Sequence, residues 1–202
     1  PALYGRSLQL LGFAILGAGI APIIGGGLKE SLLALCLGLV VGIAVTSLSK
    51  HSEQSRLTTP LSATLVTFFG TLWCGIDPSI ALLPAVTAGM IVLLPGMDLT
   101  VAARELATGH VVSGSSRLAF GLTVLALLGL GMVMGGLLGE ILIGDVALSY
   151  QPQTNMLISL CGLGLAAAGL MLLNQAHQRD WPWMLIACLV AWLSAGLGSL
   201  LG

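Results

Sequence analysis

The feature that most constrains this chain is a series of long apolar stretches, none of which contains a Lys, Arg, Asp or Glu residue. A helix needs about 20 mainly apolar residues to cross the roughly 30 Å hydrocarbon core of a bilayer, where the backbone must satisfy its own hydrogen bonds. Seven stretches meet this requirement, at residues 8–26, 31–48, 57–76, 78–95, 118–139, 155–174 and 181–201. The sequence therefore predicts an all-α, polytopic membrane bundle of about seven transmembrane helices.

Composition excludes other classes of protein. Only 7% of the residues are charged, whereas a soluble domain carries about 25%. The Lys and Arg residues are scattered singly, so the chain has no basic stripe that would bind nucleic acid. The cysteines stand far apart inside apolar stretches, and we interpret them as small buried residues rather than metal ligands or disulfide partners. We expect no cofactor and no metal. The cysteines are Cys36, Cys74, Cys161 and Cys188.

The distribution of positive charge predicts the orientation of the spans. If the spans alternate, one side receives only Lys29. The other side receives Arg6, Lys50, Arg56, Arg104, Arg117 and Arg179. By the positive-inside rule, the N-terminus is cytoplasmic and the C-terminus is outside. The third and fourth spans are counted separately, because Asp77 and Pro78 combine a capping residue with a helix-stopping proline.

The most patterned polar segment, residues 93–117, lies between the fourth and fifth spans. Pro95 and Gly96 break the membrane helix. Asp98 is placed to cap a new helix, and Gly109 is placed to end it about three turns later. The pattern predicts a short helix on the cytoplasmic side.

A second polar turn, at residues 113–116, leads into the fifth span with Arg117 at its mouth. Two interpretations of the whole segment stay open. In the first, the short helix only connects two spans at the membrane interface. In the second, the free N–H groups and positive dipole end of a broken helix bind an anionic group such as a substrate carboxylate, assisted by Arg104 or Arg117.

Three threonines of the third span, Thr64, Thr67 and Thr71, recur at helical spacing on one face. A polar face of a membrane helix is usually turned toward protein or a water-filled cavity. Threonine hydroxyls also bond to their own helix backbone. Both interpretations stay open, and the threonines are candidate substrate contacts.

Small residues predict where helices approach each other closely. Gly38 and Gly42 form one GxxxG pair, and Gly131, Gly135 and Gly139 form a longer face on the fifth span. The alternative is that such spacings arise by chance in a chain with many glycines.

Seven positions of the polar segment form a motif that combines a Pro-Gly break, a leucine, an acidic residue, two glycines and an arginine at the start of the next span. They are Pro95, Gly96, Leu99, Glu105, Gly109, Gly114 and Arg117. This motif resembles that of the threonine/serine exporters of bacteria and fungi. Glu105 departs from the family pattern, where aspartate is more frequent, but the charge is kept.

The resemblance implies two membrane halves of five helices each, with a soluble cytoplasmic region before the first. Residues 1–146 would form the whole first half, with the short helix at 98–108. Residues 147–202 are similar to the first two helices of the second half, which would then be incomplete. Because the chain also opens without an initiator methionine or a signal-peptide pattern, we expect it to be part of a longer protein.

The resemblance further implies a secondary transporter that exports threonine or serine across the cell (inner) membrane, driven by the proton gradient. Its partners would be the lipid bilayer, the amino acid, protons, and a second membrane half, subunit or copy. The residues expected to serve transport are Pro95, Gly96, Asp98, Arg104, Glu105, Gly109, Arg117, Thr64, Thr67 and Thr71. The candidates for proton coupling are Asp98, Glu105, His110 and Asp77, and only the histidine has an ordinary pKa near neutrality.

Two other functions stay open. A non-transporting assembly or scaffold subunit is the main alternative if the remaining helices belong to a separate chain. An intramembrane enzyme has less support, because the sequence contains no HExxH, GxGD or GxSG motif.

Overall fold

The computed structural model describes residues 5–48, 55–144 and 156–201. Within these ranges the chain forms eight α-helices and no strand, which confirms the all-α prediction. The helices are α1 (Arg6–Ile23), α2 (Leu28–Leu48), α3 (Ser55–Ile76), α4 (Leu82–Gly89), α5 (Gly96–Ala107), α6 (Val111–Ile143), α7 (Met156–Leu173) and α8 (Trp181–Leu201).

Five helices of the described ranges, α1, α2, α3, α6 and α7, are long and apolar enough to cross a membrane. The number is six if α4 and the segment Ile91–Ala107, which includes α5 and is bent by 52° from α4 at a short break, are counted as one span. The last helix contributes a shorter apolar stretch, Trp181–Ser194. The chain is therefore a multi-pass helical membrane protein, with five or six such spans where the sequence predicts about seven.

The fourth expected span, residues 78–95, is not one continuous helix. α4 ends at Gly89, a 3-10 turn follows at Ile91–Leu93, and α5 begins after Pro95. Leu94 is extended, with φ −67° and ψ 131°, because the ring of a following proline disfavours the helical conformation. The chain thus changes direction inside the bundle, not at its edge.

Contacts of α4 show where the break lies. A methyl group added to Gly89 would stand 2.7 Å from Cβ of Leu37, and Leu37 lies near the middle of α2. Pro84 does not interrupt α4, since it occupies the first turn, where a backbone N–H has no intrahelical partner. The first half of the broken span therefore ends about halfway along its neighbour.

The predicted short helix at 98–108 forms as α5, but it starts two residues earlier. Pro95 occupies the N-cap position and Asp98 lies in the first turn without a capping hydrogen bond. The prediction that Asp98 caps the helix is therefore wrong. The predicted end is confirmed: Gly109 has φ +83°, and His110 N–H donates to the Glu105 carbonyl at 2.9 Å, as in a Schellman motif.

The expected polar turn at 113–116 is helical instead. α6 begins at Val111 and runs for 33 residues, about 50 Å, which exceeds the thickness of the hydrocarbon core. Serine hydroxyls in its first turns bond to the helix itself, for example Ser116 Oγ to the Ser113 carbonyl at 2.8 Å. The first turns of α6 therefore extend the span rather than interrupt it.

Close helix contacts involve the small residues. A methyl group at Gly38 would stand 2.5 Å from the Phe13 carbonyl oxygen, and one at Gly42 would stand 3.1 Å from Phe13 Cβ. The GxxxG pair of α2 therefore faces α1, which also packs extensively against α7. Among the largest fully buried side chains of the described residues are Leu37, Val41, Val66 and Val86, so the core lies between α2, α3 and α4.

Candidate functional site

Three charged side chains meet between α5 and α6. Arg117 Nε lies 3.3 Å from Glu105 Oε1, and Arg117 Nη1 lies 3.9 Å from Asp98 Oδ1. The second oxygen of Glu105, Oε2, is buried and has no hydrogen-bond partner among the described residues. The structure thus brings together three of the residues that the sequence singles out.

The backbone around these charges is held by close contacts between the two helices. A methyl group at Gly121 would stand 2.7 Å from Leu99 Cδ2 and 4.0 Å from Pro95 Cγ. One at Gly114 would stand 3.0 Å from the backbone nitrogen of Leu106. The helix after the break therefore lies along the first half of α6.

Arg104 and His110 do not join this cluster. Arg104 is exposed and makes no ion pair with any described residue. His110 is exposed, and its Nδ1 lies 3.2 Å from Thr108 Oγ1. Both residues sit near the end of α5 that is remote from the break.

The start of α5 is poorly suited to bind an anion. The N–H of Gly96 already donates to the Leu94 carbonyl at 2.8 Å. The carboxylate of Asp98 lies in the first turn, where it interacts favourably with the positive end of the helix. A substrate carboxylate at this helix end would meet a like charge.

The glycine face of α6 packs directly against the threonine face of α3. A methyl group at Gly131 would stand 2.5 Å from the Pro60 carbonyl oxygen, and one at Gly139 would stand 2.6 Å from Thr71 Cβ. At Gly135 the nearest atom would be the Thr64 carbonyl oxygen. The two sequence patterns are therefore the two sides of one helix interface.

The three threonines differ in their hydrogen bonds. Thr64 Oγ1 donates to the Pro60 carbonyl at 2.8 Å, and Thr71 Oγ1 donates to the Thr67 carbonyl at 2.8 Å. Thr67 is only 6% exposed, and its hydroxyl has no partner among the described residues. Two threonines thus bond to their own backbone, and one does not.

A cavity of about 320 Å³ lies between α3, α4 and α6. Its wall is mostly apolar, with two threonines and one carboxylate as polar groups. The lining residues are Thr67, Thr71, Leu82, Leu83, Val86, Met132, Val133, Gly136, Leu137 and Glu140. This cavity contacts α4, the half of the broken span that precedes the break.

A second ionic cluster links the start of α2 to the turn before α4. Lys29 Nζ lies 2.8 Å from Asp77 Oδ2 and 2.7 Å from Ser79 Oγ. The hydrogen bonds from Lys29 and from Ser79 lower the pKa of Asp77 to about 2. Its carboxyl group therefore stays ionised at neutral pH, which argues against Asp77 as a group that couples transport to protons.

Glu30 is a buried carboxylate that the sequence pattern does not predict as a site residue. It is 5% exposed, and it accepts hydrogen bonds from the N–H groups of Gly27, at 2.8 Å, and Ala81, at 2.9 Å. The carboxylate thereby fastens the start of α4 to the loop between α1 and α2. Glu30 and Glu140 both lie one residue outside an expected span, because those spans were defined by the absence of charge.

The cysteines are free thiols, but only Cys74 is buried, so the interpretation of all four as buried residues is wrong. Cys36 and Cys161 are exposed on the surface of the helices, and Cys188 is partly buried. Within residues 5–48, 55–144 and 156–201, no group of three or more His, Cys, Asp or Glu side chains is arranged to hold a metal ion. The candidate site therefore rests on the broken span, the charges between α5 and α6, and the cavity beside α4.

Comparison with known proteins links this arrangement to one family. The family model described as "Putative threonine/serine exporter" matches residues 1–138. A protein of Corynebacterium glutamicum named threonine/serine exporter is 28% identical over 95% of this chain and 40% of its own length. An uncharacterized protein of Schizosaccharomyces pombe is 24% identical over 92% of this chain and 24% of its own length. The chain thus spans less than half the length of these relatives. No solved structure matches it.

Proposed function

Because the chain belongs to the threonine/serine exporter family, whose model matches residues 1–138, we propose that it forms part of a secondary transporter that exports threonine or serine. Export is driven by the proton gradient across the inner membrane of the cell. The matched relatives are more than twice as long as the chain, so this activity belongs to the complete protein. Residues 1–146 form its first membrane half, and residues 147–202 open the second.

The observation that carries this proposal is the broken span formed by α4 and α5. Transporters commonly use discontinuous helices, because a break inside the membrane provides backbone polar groups and a place to bend. The bend of 52° lies between α4 and the segment Ile91–Ala107, and Pro95 and Gly96 interrupt that segment again at the start of α5. The two halves pack against different neighbours, α4 on α1 and α2, and α5 on α6.

Arg117, Glu105 and Asp98 act as the inner gate. While both carboxylates are ionised, they hold the arginine, and with it α6, against the helix after the break. Protonation of Glu105 or Asp98 weakens this attraction and releases α5. Glu105 is the better coupling group, since its partly exposed side chain combines a closer contact with Arg117 and an unpaired buried oxygen.

The orientation follows from the positive charges, with the N-terminus in the cytoplasm and the last helix ending outside. The gate then lies toward the cytoplasm, and the cluster of Lys29, Asp77 and Ser79 lies toward the outside. Threonine or serine thus enters the transporter at its cytoplasmic end. A proton bound by Glu105 would be released at the same end.

The experiment that tests the proposal is transport by the complete protein in sealed lipid vesicles. Labelled threonine and serine should move only when a proton gradient is imposed, and an uncoupler should stop the movement. Gln in place of Glu105 should uncouple the flux from the gradient. Complete protein that inserts and folds but moves neither amino acid under a gradient would refute the exporter and favour an assembly or scaffold subunit. Release of a peptide or lipid product would favour an intramembrane enzyme.

A further inference from the structure

Helix α7 repeats helix α1 at a fixed distance along the chain. α1 covers Arg6–Ile23 and α7 covers Met156–Leu173, so both have 18 residues. Both ends of α7 lie 150 positions after the corresponding ends of α1. Several residues are identical at this offset, and most of them are small. The identical pairs are Leu10 and Leu160, Gly12 and Gly162, Ala18 and Ala168, and Gly19 and Gly169.

The turns that follow these two helices have the same hydrogen bonds. Gly26 N–H donates to the Ala21 carbonyl at 2.8 Å, and Ala176 N–H, 150 positions later, donates to the Met171 carbonyl at 3.0 Å. The residue before each donor has a positive φ, +93° in the first turn and +50° in the second. In the second turn this residue is Gln175, although a side chain disfavours such a φ. Both helices therefore end in the same kind of turn, a Schellman motif.

α1 and α7 pack against each other in antiparallel directions, and their contacts occur in symmetric pairs. A methyl group at Gly169 would stand 2.6 Å from the backbone nitrogen of Leu16. For a methyl group at Gly19, the nearest atom would be the backbone nitrogen of Ala166. If each residue is exchanged for its counterpart 150 positions away, the first contact becomes the second.

A second pair of contacts obeys the same exchange. A methyl group at Gly12 would stand 3.0 Å from Leu172 Cβ, and one at Gly162 would stand 2.6 Å from Pro22 Cγ. Because the two helices are antiparallel, the operation that exchanges them is a rotation by half a turn. A pseudo-twofold axis therefore passes between α1 and α7, as it does between the repeats of inverted-repeat transporters.

The charges that follow each turn are repeated as well. Lys29 and Glu30 follow the first turn, and Arg179 and Asp180 stand 150 positions later. Each pair has a cation followed by a carboxylate. The pseudo-twofold axis relates one end of α1 to the opposite end of the bundle, so the two carboxylates lie at opposite faces of the membrane.

The two carboxylates differ in what covers them. Glu30 is 5% exposed, and it accepts a hydrogen bond at 2.9 Å from the N–H of Ala81, which immediately precedes α4. Asp180 is exposed. Its carboxylate makes no ion pair and no side-chain hydrogen bond within residues 5–48, 55–144 and 156–201. The position equivalent to that of Glu30 thus lacks the N-terminus of a broken span.

We propose that Asp180 is the cytoplasmic counterpart of Glu30, and that in the complete protein it binds the N-terminus of a second broken span. That N-terminus offers a backbone N–H to the carboxylate, as Ala81 does to Glu30. The occupant is the part of the complete protein that follows residue 202, since the matched relatives are more than twice as long as the chain. This inference rests on the proposed function, in which residues 147–202 open a second membrane half.

The first test is thermal unfolding of the complete protein in detergent. Glu30→Ala should lower the unfolding midpoint by about 2–8 °C, because buried N–H groups lose a charged acceptor. Asp180→Ala should lower it by a similar amount. Asp180→Glu should keep the midpoint of the wild type, since a glutamate performs this role at position 30. Arg104→Ala is the control, because Arg104 is exposed and makes no ion pair with any described residue.

The second test is accessibility, measured with single cysteines in a background from which the native cysteines have been removed. Inside-out vesicles that contain the complete protein are treated with a membrane-impermeant maleimide. Arg104→Cys should react at once, because this position is exposed on the cytoplasmic side of the proposed bundle. Asp180→Cys should stay unlabelled until the protein is unfolded, because the second broken span covers it.

Two results would overturn the proposal. One is an unchanged unfolding midpoint for Asp180→Ala, as for an ordinary exposed carboxylate. The other is labelling of Asp180→Cys as fast as that of Arg104→Cys in the native protein. Neither measurement involves transport. A complete protein that exports neither amino acid would therefore refute the proposed function without affecting this result, and an uncovered Asp180 would leave the export activity standing.

Discussion

Arg117 on α6 forms an ion pair with Glu105 on α5, with 3.3 Å between Nε and Oε1. The two side chains are only partly buried, at 48% and 25% exposure. A pair of this kind contributes about 0–1 kcal/mol to stability. It is therefore too weak to be needed for folding and well suited to a contact that forms and breaks during the proposed transport cycle.

Arg117→Gln should slow threonine transport by about tenfold, equivalent to about 1.4 kcal/mol on the rate-limiting barrier. The free energy of unfolding should change by less than about 1 kcal/mol. The measurements are flux into vesicles and unfolding in detergent. Exchange of the two charges, Glu105→Arg with Arg117→Glu, should restore part of the flux. Arg179→Gln is the control, because this exposed arginine lies in the turn before α8.

Gly135→Ala should destabilise the protein by about 1–3 kcal/mol, the usual cost of overpacking. The added methyl group would collide with the Thr64 carbonyl, and neither backbone can move aside easily. Gly129→Ala is the matched control on the same helix, since nothing lies within 4 Å of the new methyl group. There the higher helix propensity of alanine should be neutral or slightly stabilising. Equal unfolding midpoints for the two variants would show that the interface between α3 and α6 is not as described.

Asp77→Asn should leave the dependence of transport on pH near neutrality unchanged. The pKa of Asp77 is lowered from 3.8 to about 2 by the hydrogen bonds from Lys29 and Ser79. The stability that this carboxylate contributes is therefore fully present above about pH 3.8 and is lost as the pH falls through 2. Asp77→Asn should differ from the wild type only in acid unfolding, because the variant lacks the stability that the wild type loses between about pH 3.8 and pH 2. A change in the pH profile of transport between pH 6 and 8 would instead restore Asp77 as a coupling group.

The order and ends of most helices could be predicted from the sequence, because length and lack of charge define a span. The end of α3 before Asp77 and the end of α5 at Gly109 could also be predicted, since each has a local chemical cause. The break after Gly89 was not, because residues 82–94 are as apolar as any continuous span. Only the packing of α4 on Leu37 shows that the chain turns inside the bundle.

The candidate site was predicted in part. The motif indicated Glu105 and Arg117 but not that they pair across α5 and α6, which depends on how the helices pack. The threonine face could be predicted from the spacing of the residues. Spacing does not show, however, that Thr67 lacks the hydrogen bond to the helix backbone that Thr64 and Thr71 each make. Glu30 and Glu140 could not be predicted as site residues, because a span that is defined by the absence of charge excludes every carboxylate.

The orientation can be checked with single cysteines in a background from which the native cysteines have been removed. Lys29→Cys should react with a membrane-impermeant maleimide from outside intact cells. His110→Cys should react only after the membrane is opened, because the turn between α5 and α6 would face the cytoplasm in the proposed orientation. The reverse pattern would invert the proposed direction of the bundle and place the gate outside.

The most direct test of a proton-driven threonine/serine exporter is the movement of protons that accompanies the amino acid. Vesicles that contain the complete protein and a pH-sensitive dye are prepared with equal pH on both sides, and threonine is then added outside. Serine should act in the same way, whereas leucine should have no effect. We predict an immediate change of internal pH that depends on the threonine concentration and is abolished by Glu105→Gln. Threonine uptake without any change of internal pH, or no uptake at all by folded protein, would contradict the proposed function.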